Sequence, residues 1–206
     1  MTIAIPALPC GNFSSVKKII ERVGGSASIV DDPSRLDAFG KLIIAGVGAF
    51  DHGMASIRGG GWFEALDEFA LRRRRPVLGI CLGMQLLCKR SEEGSLPGLG
   101  WIDADVVRFR FDAGLTLKIP HMGWNTVRVV KENPLIPSAG GEQRYYFVHS
   151  YHVACRDESD VLATTSHGYE VTAALSRENI MGVQFHPEKS HRFGMALMRR
   201  FVELPC

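Results

Sequence analysis

The apolar positions change period near the middle of the chain. In the first half, short unbroken apolar runs alternate with segments of helical spacing. Ile3–Ile5, Ser26–Val30, Lys41–Ala45 and Pro76–Ile80 predict short buried strands. Between them, Ser14–Val23 puts Val16, Ile19, Ile20 and Val23 on one helical face, with Ser14 or Ser15 as cap and Gly24-Gly25 as stop. Trp62–Arg74 predicts a second helix, and Met84–Arg90 is a candidate for a third. Strands alternating with helices predict a parallel sheet covered by helices. In the second half, Asp105–Phe111, Gly123–Val130, Tyr145–His152, Val161–Thr165, Thr172–Ser176 and Met181–Phe185 predict strands separated by Gly, Asn, Asp and Pro turns. His191–Glu203 closes the chain as a helix. With no internal repeat or linker, the strand-rich half is expected to extend one mixed sheet. The expected fold class is α/β: a single domain over residues 1–206, with a mixed, mostly parallel sheet flanked by helices.

Composition narrows the classes. A chain of 206 residues with 46% apolar and 22% charged residues suits a globular domain with a full core. A formal net charge of +2 gives no case for nucleic acid or an acidic membrane as ligand. The run Arg72–Arg75 reads as a solvated helix end. No apolar stretch approaches the ~20 residues that span a bilayer, and the first residues lack the pattern of a signal peptide. The cysteines are Cys10, Cys81, Cys88, Cys155 and Cys206, odd in number and without a CxxC pair. Neither a disulfide framework nor a structural zinc site is expected. No cofactor or metal is predicted, and the expected location is a reducing cytoplasm.

The sharpest chemical signal is Gly79-Ile80-Cys81-Leu82-Gly83, placed after an apolar strand and before a helix candidate. It has the form of a nucleophile elbow with cysteine at its centre. Glycines are needed because the chain turns sharply, and a side chain beside the nucleophile would clash. The turn sets the thiol near a helix N-terminus, where partial positive charge favours the thiolate. A buried structural cysteine in a glycine-rich turn is the plainer reading of this motif alone. Gln85 follows one helical turn later, so its amide can reach the same pocket. Near the other end, Gln184-Phe185-His186-Pro187-Glu188 offers a base. Pro187 favours an extended His186, and residues two apart in an extended chain project to one side. A histidine that takes the thiol proton, oriented by a carboxylate, suits a cysteine nucleophile. Gly46-Val47-Gly48, at the end of another strand, can turn backbone N–H groups towards a ligand and, with the N–H of Leu82, form an oxyanion hole.

Together, these residues resemble the class I (triad) glutamine amidotransferases. His121-Met122-Gly123-Trp124-Asn125, Tyr146–Tyr151, Gly46–Phe50 and Gly182–Ser190 resemble the HisH family in particular, the glutaminase subunits of imidazole glycerol phosphate synthase. The resemblance covers almost the whole chain. It implies a catalytic triad of Cys81, His186 and Glu188 acting on L-glutamine, with Val47, Gly48 and Leu82 as oxyanion donors. It implies a glutamine pocket that includes Gln85, His149, Ser150 and Tyr151. It further implies a partner, a HisF-type (β/α)₈ barrel synthase, met by Asn12, Met122, Trp124 and Asn125 as a heterodimer that channels ammonia. The sequence departs from the family at Ala7–Cys10, where only Gly11-Asn12 remain of an Asp-Tyr-Gly-x-Gly-Asn motif, and at Ala45, where the family has proline. Two related activities stay open: ammonia supply to a sugar amidotransferase of surface-polysaccharide synthesis, and a stand-alone cysteine γ-glutamyl hydrolase. A catalytically inactive subunit is disfavoured by the intact Cys81, His186 and Glu188.

Overall fold

The structure is a computed structural model and describes residues 2–9, 11–112, 114, 116–139 and 141–205. Cys10 and Cys206 lie outside the described residues. Five parallel strands form one side of the sheet: β1 (Thr2–Pro6), β2 (Ser26–Val30), β3 (Lys41–Gly46), β4 (Val77–Cys81) and β12 (Ile180–Val183). Their order is β2-β1-β3-β4-β12, and the sheet then continues antiparallel through β11 (Tyr169–Arg177), β10 (Val161–His167), β7 (His121–Val129) and β8 (Gln143–His149). A side branch of β5 (Arg90–Ser91), β6 (Ala104–Arg108) and β9 (Tyr151–Cys155) joins at β11. The expected mixed sheet is therefore present; four of the five parallel strands come first in the chain, and the fifth, β12, comes near its end.

The period-2 alternation of the central strands divides the core in two. Ile3, Ile5, Ile43, Leu78 and Ile80 face helix α1 (Phe13–Arg22) and helix α5 (His191–Glu203), meeting Val16, Ile19, Ile20, Leu197 and Phe201. Ala4, Leu42, Ile44 and Val77 face the other side, against α2 (Phe50–Gly59), α3 (Trp62–Asp67) and α4 (Leu82–Leu86). Burying Val16, Ile19 and Ile20 holds α1 in place, each contributing about 1.5–3 kcal/mol.

Four elements differ from the sequence reading. Helix α2 was not predicted, because Gly53, Gly59 and His52 dilute its apolar face; Phe50, Met54 and Ile57 are nonetheless fully buried. The helix after the elbow spans only Leu82–Leu86, and Arg90–Ser91 turns away to pair with β6. Its whole sequence is buried, so no polar face continues it. The Trp62–Arg74 helix becomes α3 followed by a π-helical turn at Glu68–Arg72. The run Tyr145–His152 is two strands with a bend at Ser150. Within Arg72–Arg75, Arg74 pairs with Glu178 at the surface, but Arg75 donates to the carbonyls of Asp37 and Phe39 and lies over the Phe69 ring. Among the described residues, no helix is long and apolar enough to cross a membrane.

Candidate active site

The site lies at the carboxyl ends of β3, β4 and β12, where open parallel sheets generally bind ligands. Strands β4 and β12 are parallel neighbours with Val183 opposite Ile80, so the residues just beyond each strand emerge side by side. Cys81 is the last residue of β4, and His186 follows three residues after β12.

Cys81 sits at φ +54°, ψ −109°, a conformation rare for a non-glycine residue. Such strain is of order 1–3 kcal/mol and persists only where the surroundings enforce it. The glycines of the elbow make that enforcement possible. A Cβ on Gly83 would lie 1.8 Å from the carbonyl oxygen of Ile44, and one on Gly79 would lie 2.7 Å from that of Gly83. The clash anticipated from the sequence is a backbone clash with the neighbouring strand and with the following turn.

His186 is 1% exposed and has extended backbone, φ −101° and ψ 98°, as Pro187 requires. Its backbone N–H donates to the carbonyl of Tyr146, and Ser190 Oγ donates to its carbonyl. Pro187–Lys189 then form a 3-10 turn rather than continuing extended, and the turn brings Glu188 back under the ring. His186 Nδ1 and Glu188 Oε1 are 2.8 Å apart, with both side chains buried. The same oxygen accepts a hydrogen bond from Asn12 Nδ2 at 3.0 Å. Burial opposes charge on His186, but the adjacent Cys81 sulfur and Glu188 carboxylate outweigh it and raise the pKa to about 9. Nε2 is buried with no hydrogen bond of its own, so Cys81 acts on the ring through proximity rather than an aligned bond. A cationic ring beside a sulfur, with one nitrogen anchored and the other open, is an arrangement for proton exchange.

A cleft of about 410 Å³ opens over Cys81, lined by Val47, Gly48, Leu82, Gln85, Glu93, His149, Ser150 and Tyr151 among others. Surface hollows of about 450 and 480 Å³ are larger, but neither is lined by a cysteine or histidine. The structure thus brings the predicted oxyanion and pocket residues around one sulfur. The bend at Ser150 folds His149–Tyr151 over it. Gln85 Nε2 donates to the carbonyl of Tyr151 at 3.2 Å and to Gln184 Oε1 at 3.0 Å. His149 lies opposite His121 in the β7–β8 pairing, and both its ring nitrogens bond within the protein. It therefore forms a wall of the cleft and has no ring nitrogen left for a ligand. Val47 is exposed, and Gly48 turns with φ +103°.

Two residues at the site were missed. Glu93 is the acidic residue among those lining the cleft, and its Oε2 accepts the N–H of Phe50 at 2.8 Å. Nothing in its spacing marks it. Gln184 is fully buried, with Nε2 3.7 Å from Cys81 Sγ. Gln184 lies two residues before His186, a spacing that in an extended chain shares one side, and that signal was available. Of the residues expected at a partner surface, Met122 and Trp124 are 62% and 41% exposed. Asn12 and Asn125 are half-buried, with side-chain amides bonded inward. Among the described residues, no group of three or more His, Cys, Asp or Glu side chains is placed to hold a metal ion.

The family model for class-I glutamine amidotransferases matches residues 17–204. The chain belongs to that family. Within it, the amidotransferase is 48% identical over 196 residues to imidazole glycerol phosphate synthase subunit HisH 2 of Pseudomonas aeruginosa, covering 94% of this chain and 95% of that protein. It is 46% identical over 201 residues to the HisH 2 subunit of Methanococcus maripaludis, covering 98% of each. These relatives place the amidotransferase in the HisH branch. Among solved structures, its fold resembles a GMP synthase component of Thermoplasma acidophilum, with TM-score 0.72, 19% identity, and coverage of 98% of this chain and 92% of that one. It also resembles PurLQS of Thermotoga maritima, with TM-score 0.70, 18% identity, and coverage of 97% and 95%. The amidotransferase thus has the single-domain fold expected of its class.

Proposed function

We propose that the chain is the glutaminase subunit of an imidazole glycerol phosphate synthase, working in histidine biosynthesis in the cytoplasm. The observation that carries this reading is a cysteine at a strained elbow facing a histidine whose far nitrogen is held by a buried glutamate. Glutamine enters the cleft with its carboxamide over Cys81. Glu93, the acidic residue of the lining, suits the α-ammonium group. The Cys81 sulfur attacks the carboxamide carbon as thiolate, and the oxygen develops negative charge. The backbone N–H groups of Val47, Gly48 and Leu82 stabilise that charge, one such donor being worth about 10²–10³ in rate. His186 carries the proton at neutral pH and gives it to the departing nitrogen, releasing ammonia and leaving a glutamyl thioester. His186 then takes a proton from water, which hydrolyses the thioester to glutamate and regenerates the sulfur. Glu188 keeps the ring oriented and favours its cationic form.

Ammonia released into neutral water is mostly protonated and no longer nucleophilic. A closed passage to a second active site avoids that loss. The exposed Met122 and Trp124 are the surface on which a HisF-type barrel would seat, forming a heterodimer. The test is glutamine hydrolysis by the purified chain alone, with a histidine-pathway barrel subunit, and with a sugar amidotransferase. Strong stimulation by the barrel, and a single inactivating adduct on Cys81 from a glutamine-analogue electrophile, are expected. Stimulation only by the sugar enzyme would assign the altered Ala7–Cys10 segment to another pathway. Full activity alone would point to a stand-alone hydrolase.

A further inference from the structure

We propose that Gln184 is a catalytic residue beside the triad: its side-chain amide donates to the Cys81 sulfur and supports the negative charge there before attack and after thioester hydrolysis. The proposal rests on Cys81 being the nucleophile. Gln184 Nε2 lies 3.7 Å from Sγ and the side chain is fully buried, so no water competes for the contact. A donor aimed at a thiolate favours the charged form.

The orientation of the amide follows from its neighbours. The carbonyl of Tyr151 can only accept. It takes Gln85 Nε2 at 3.2 Å, and the same amide nitrogen gives its other hydrogen to Gln184 Oε1 at 3.0 Å. The oxygen of Gln184 is therefore engaged, and its NH₂ must face the sulfur. A second branch leaves the same carbonyl. His149 Nδ1 lies 2.7 Å from it and must carry the hydrogen. In a neutral ring, Nε2 then accepts, so His121 Nδ1 donates to it at 3.0 Å. His121 Nε2 in turn accepts from Asn125 Nδ2 at 3.1 Å, and the other hydrogen of Asn125 goes to the carbonyl of Ser166 at 2.8 Å. Burial holds both rings neutral, with pKa values lowered to about 3 for His149 and about 4 for His121. From half-buried Asn125 to the sulfur, every donor meets an acceptor, and reversing any one amide would leave a mismatched pair. The chain thus has a fixed polarity that ends with an N–H on the nucleophile.

The competing view is that Gln184 only fills space. Methionine has nearly the same length and no donor, whereas glutamate keeps the shape and points a carboxylate at the sulfur. The experiment follows the alkylation rate of Cys81 by iodoacetamide in the full chain across pH, with the adduct located by peptide mass. The titratable groups facing the sulfur are His186 and, across the cleft, Glu93 and His149. Gln184→Met is expected to move the profile up by about one pH unit, a roughly tenfold slower reaction near neutrality, and Gln184→Glu to move it further. Gln85→Met, which frees the Gln184 amide without touching sulfur, is expected to move it the same way by less. A Gln184→Met profile superimposed on the parent's would overturn the proposal. If neither Gln184 variant folds, as judged by circular dichroism, an unmoved Gln85→Met profile overturns it. Failure of the unmodified chain to react at Cys81 would instead overturn the assignment of the nucleophile.

Discussion

Asn12 Nδ2 donates to Glu188 Oε1 at 3.0 Å, the same carboxylate oxygen that His186 Nδ1 reaches at 2.8 Å. Asn12 is the N-cap residue of α1, a position where asparagine usually bonds to the helix backbone, yet here it makes no capping bond. Its amide is turned to the carboxylate instead. A hydrogen bond to a charged acceptor contributes about 1.5–3 kcal/mol. Asn12→Ala is expected to lower the kcat of glutamine hydrolysis about tenfold with little change in KM. The check is steady-state kinetics beside a thermal melt, and an equal loss in both kinetic parameters would contradict the link.

His186 and Glu188 divide one task unequally. In the proposed mechanism, His186→Ala removes the group that moves the proton, and a loss of about 10²–10⁴ in kcat is expected. Glu188→Gln keeps the hydrogen-bonding shape but removes the charge, so it should cost less. The pH profile provides a second reading. The proposed mechanism needs His186 protonated to release ammonia, so activity should fall as pH rises through the folded value of about 9. Without the Glu188 charge, that alkaline limb should move to lower pH. A limb that stays in place, or a Glu188 variant slower than the His186 variant, would reverse these roles.

His121 gives a stability test. Burial, then the nearby His167, holds its pKa down at about 4, against about 6.5 in an unfolded chain. The depressed value means that its contribution is complete above pH 6.5. It is lost as pH falls towards 4, because only the unfolded chain then takes up the proton. His149 acts in the same direction, with its value lowered to about 3. Urea unfolding of the parent should therefore show stability declining with acid between pH 6.5 and 4. His121→Gln should reduce that slope by close to one proton, about 1.4 kcal/mol per pH unit. An unchanged slope would mean that His121 titrates normally in the fold.

The exposed pair on β7 bears on assembly. Trp124 stacks on His191 with ring planes 3° apart and centroids 5.5 Å apart, so the indole is held in place while 41% exposed. Held aromatic side chains make strong interface anchors because little freedom is lost on binding. Trp124→Ala and Met122→Asp are each expected to weaken association with the proposed synthase barrel by about tenfold or more in a calorimetric titration, with the thermal melt nearly unchanged. Unaltered affinity would move the docking surface elsewhere.

Much of this architecture was legible in the sequence because its causes are local. The elbow glycines, Pro187 and the short apolar runs each act within a few residues; they singled out Cys81, His186 and Glu188 as candidates and foretold the strands β1, β2, β3 and β4. What escaped depends on contacts between distant segments. Helix α2 is held by its packing against Leu86 and Leu82, and its glycine-diluted face concealed it. The bend at Ser150 divides the run Tyr145–His152 for a reason visible only once β9 is paired with β6. The resemblance sets Asn12 at a partner surface, but its bond to Glu188 was not legible because the two lie 176 positions apart. Glu93 had no periodic signature at all.

In the β3–β4 pairing, Gly46 stands opposite Cys81, so the glycine loop and the proposed nucleophile leave the sheet at the same level. The two strands thus work as a ruler for the reaction centre. One residue inserted or deleted in either strand would displace one edge of the cleft by about 3.3 Å and turn its side chains to the opposite face. Loop lengths around this fold can drift over evolutionary time, whereas the distance from Lys41 to Gly46 and from Val77 to Cys81 has to be inherited unchanged.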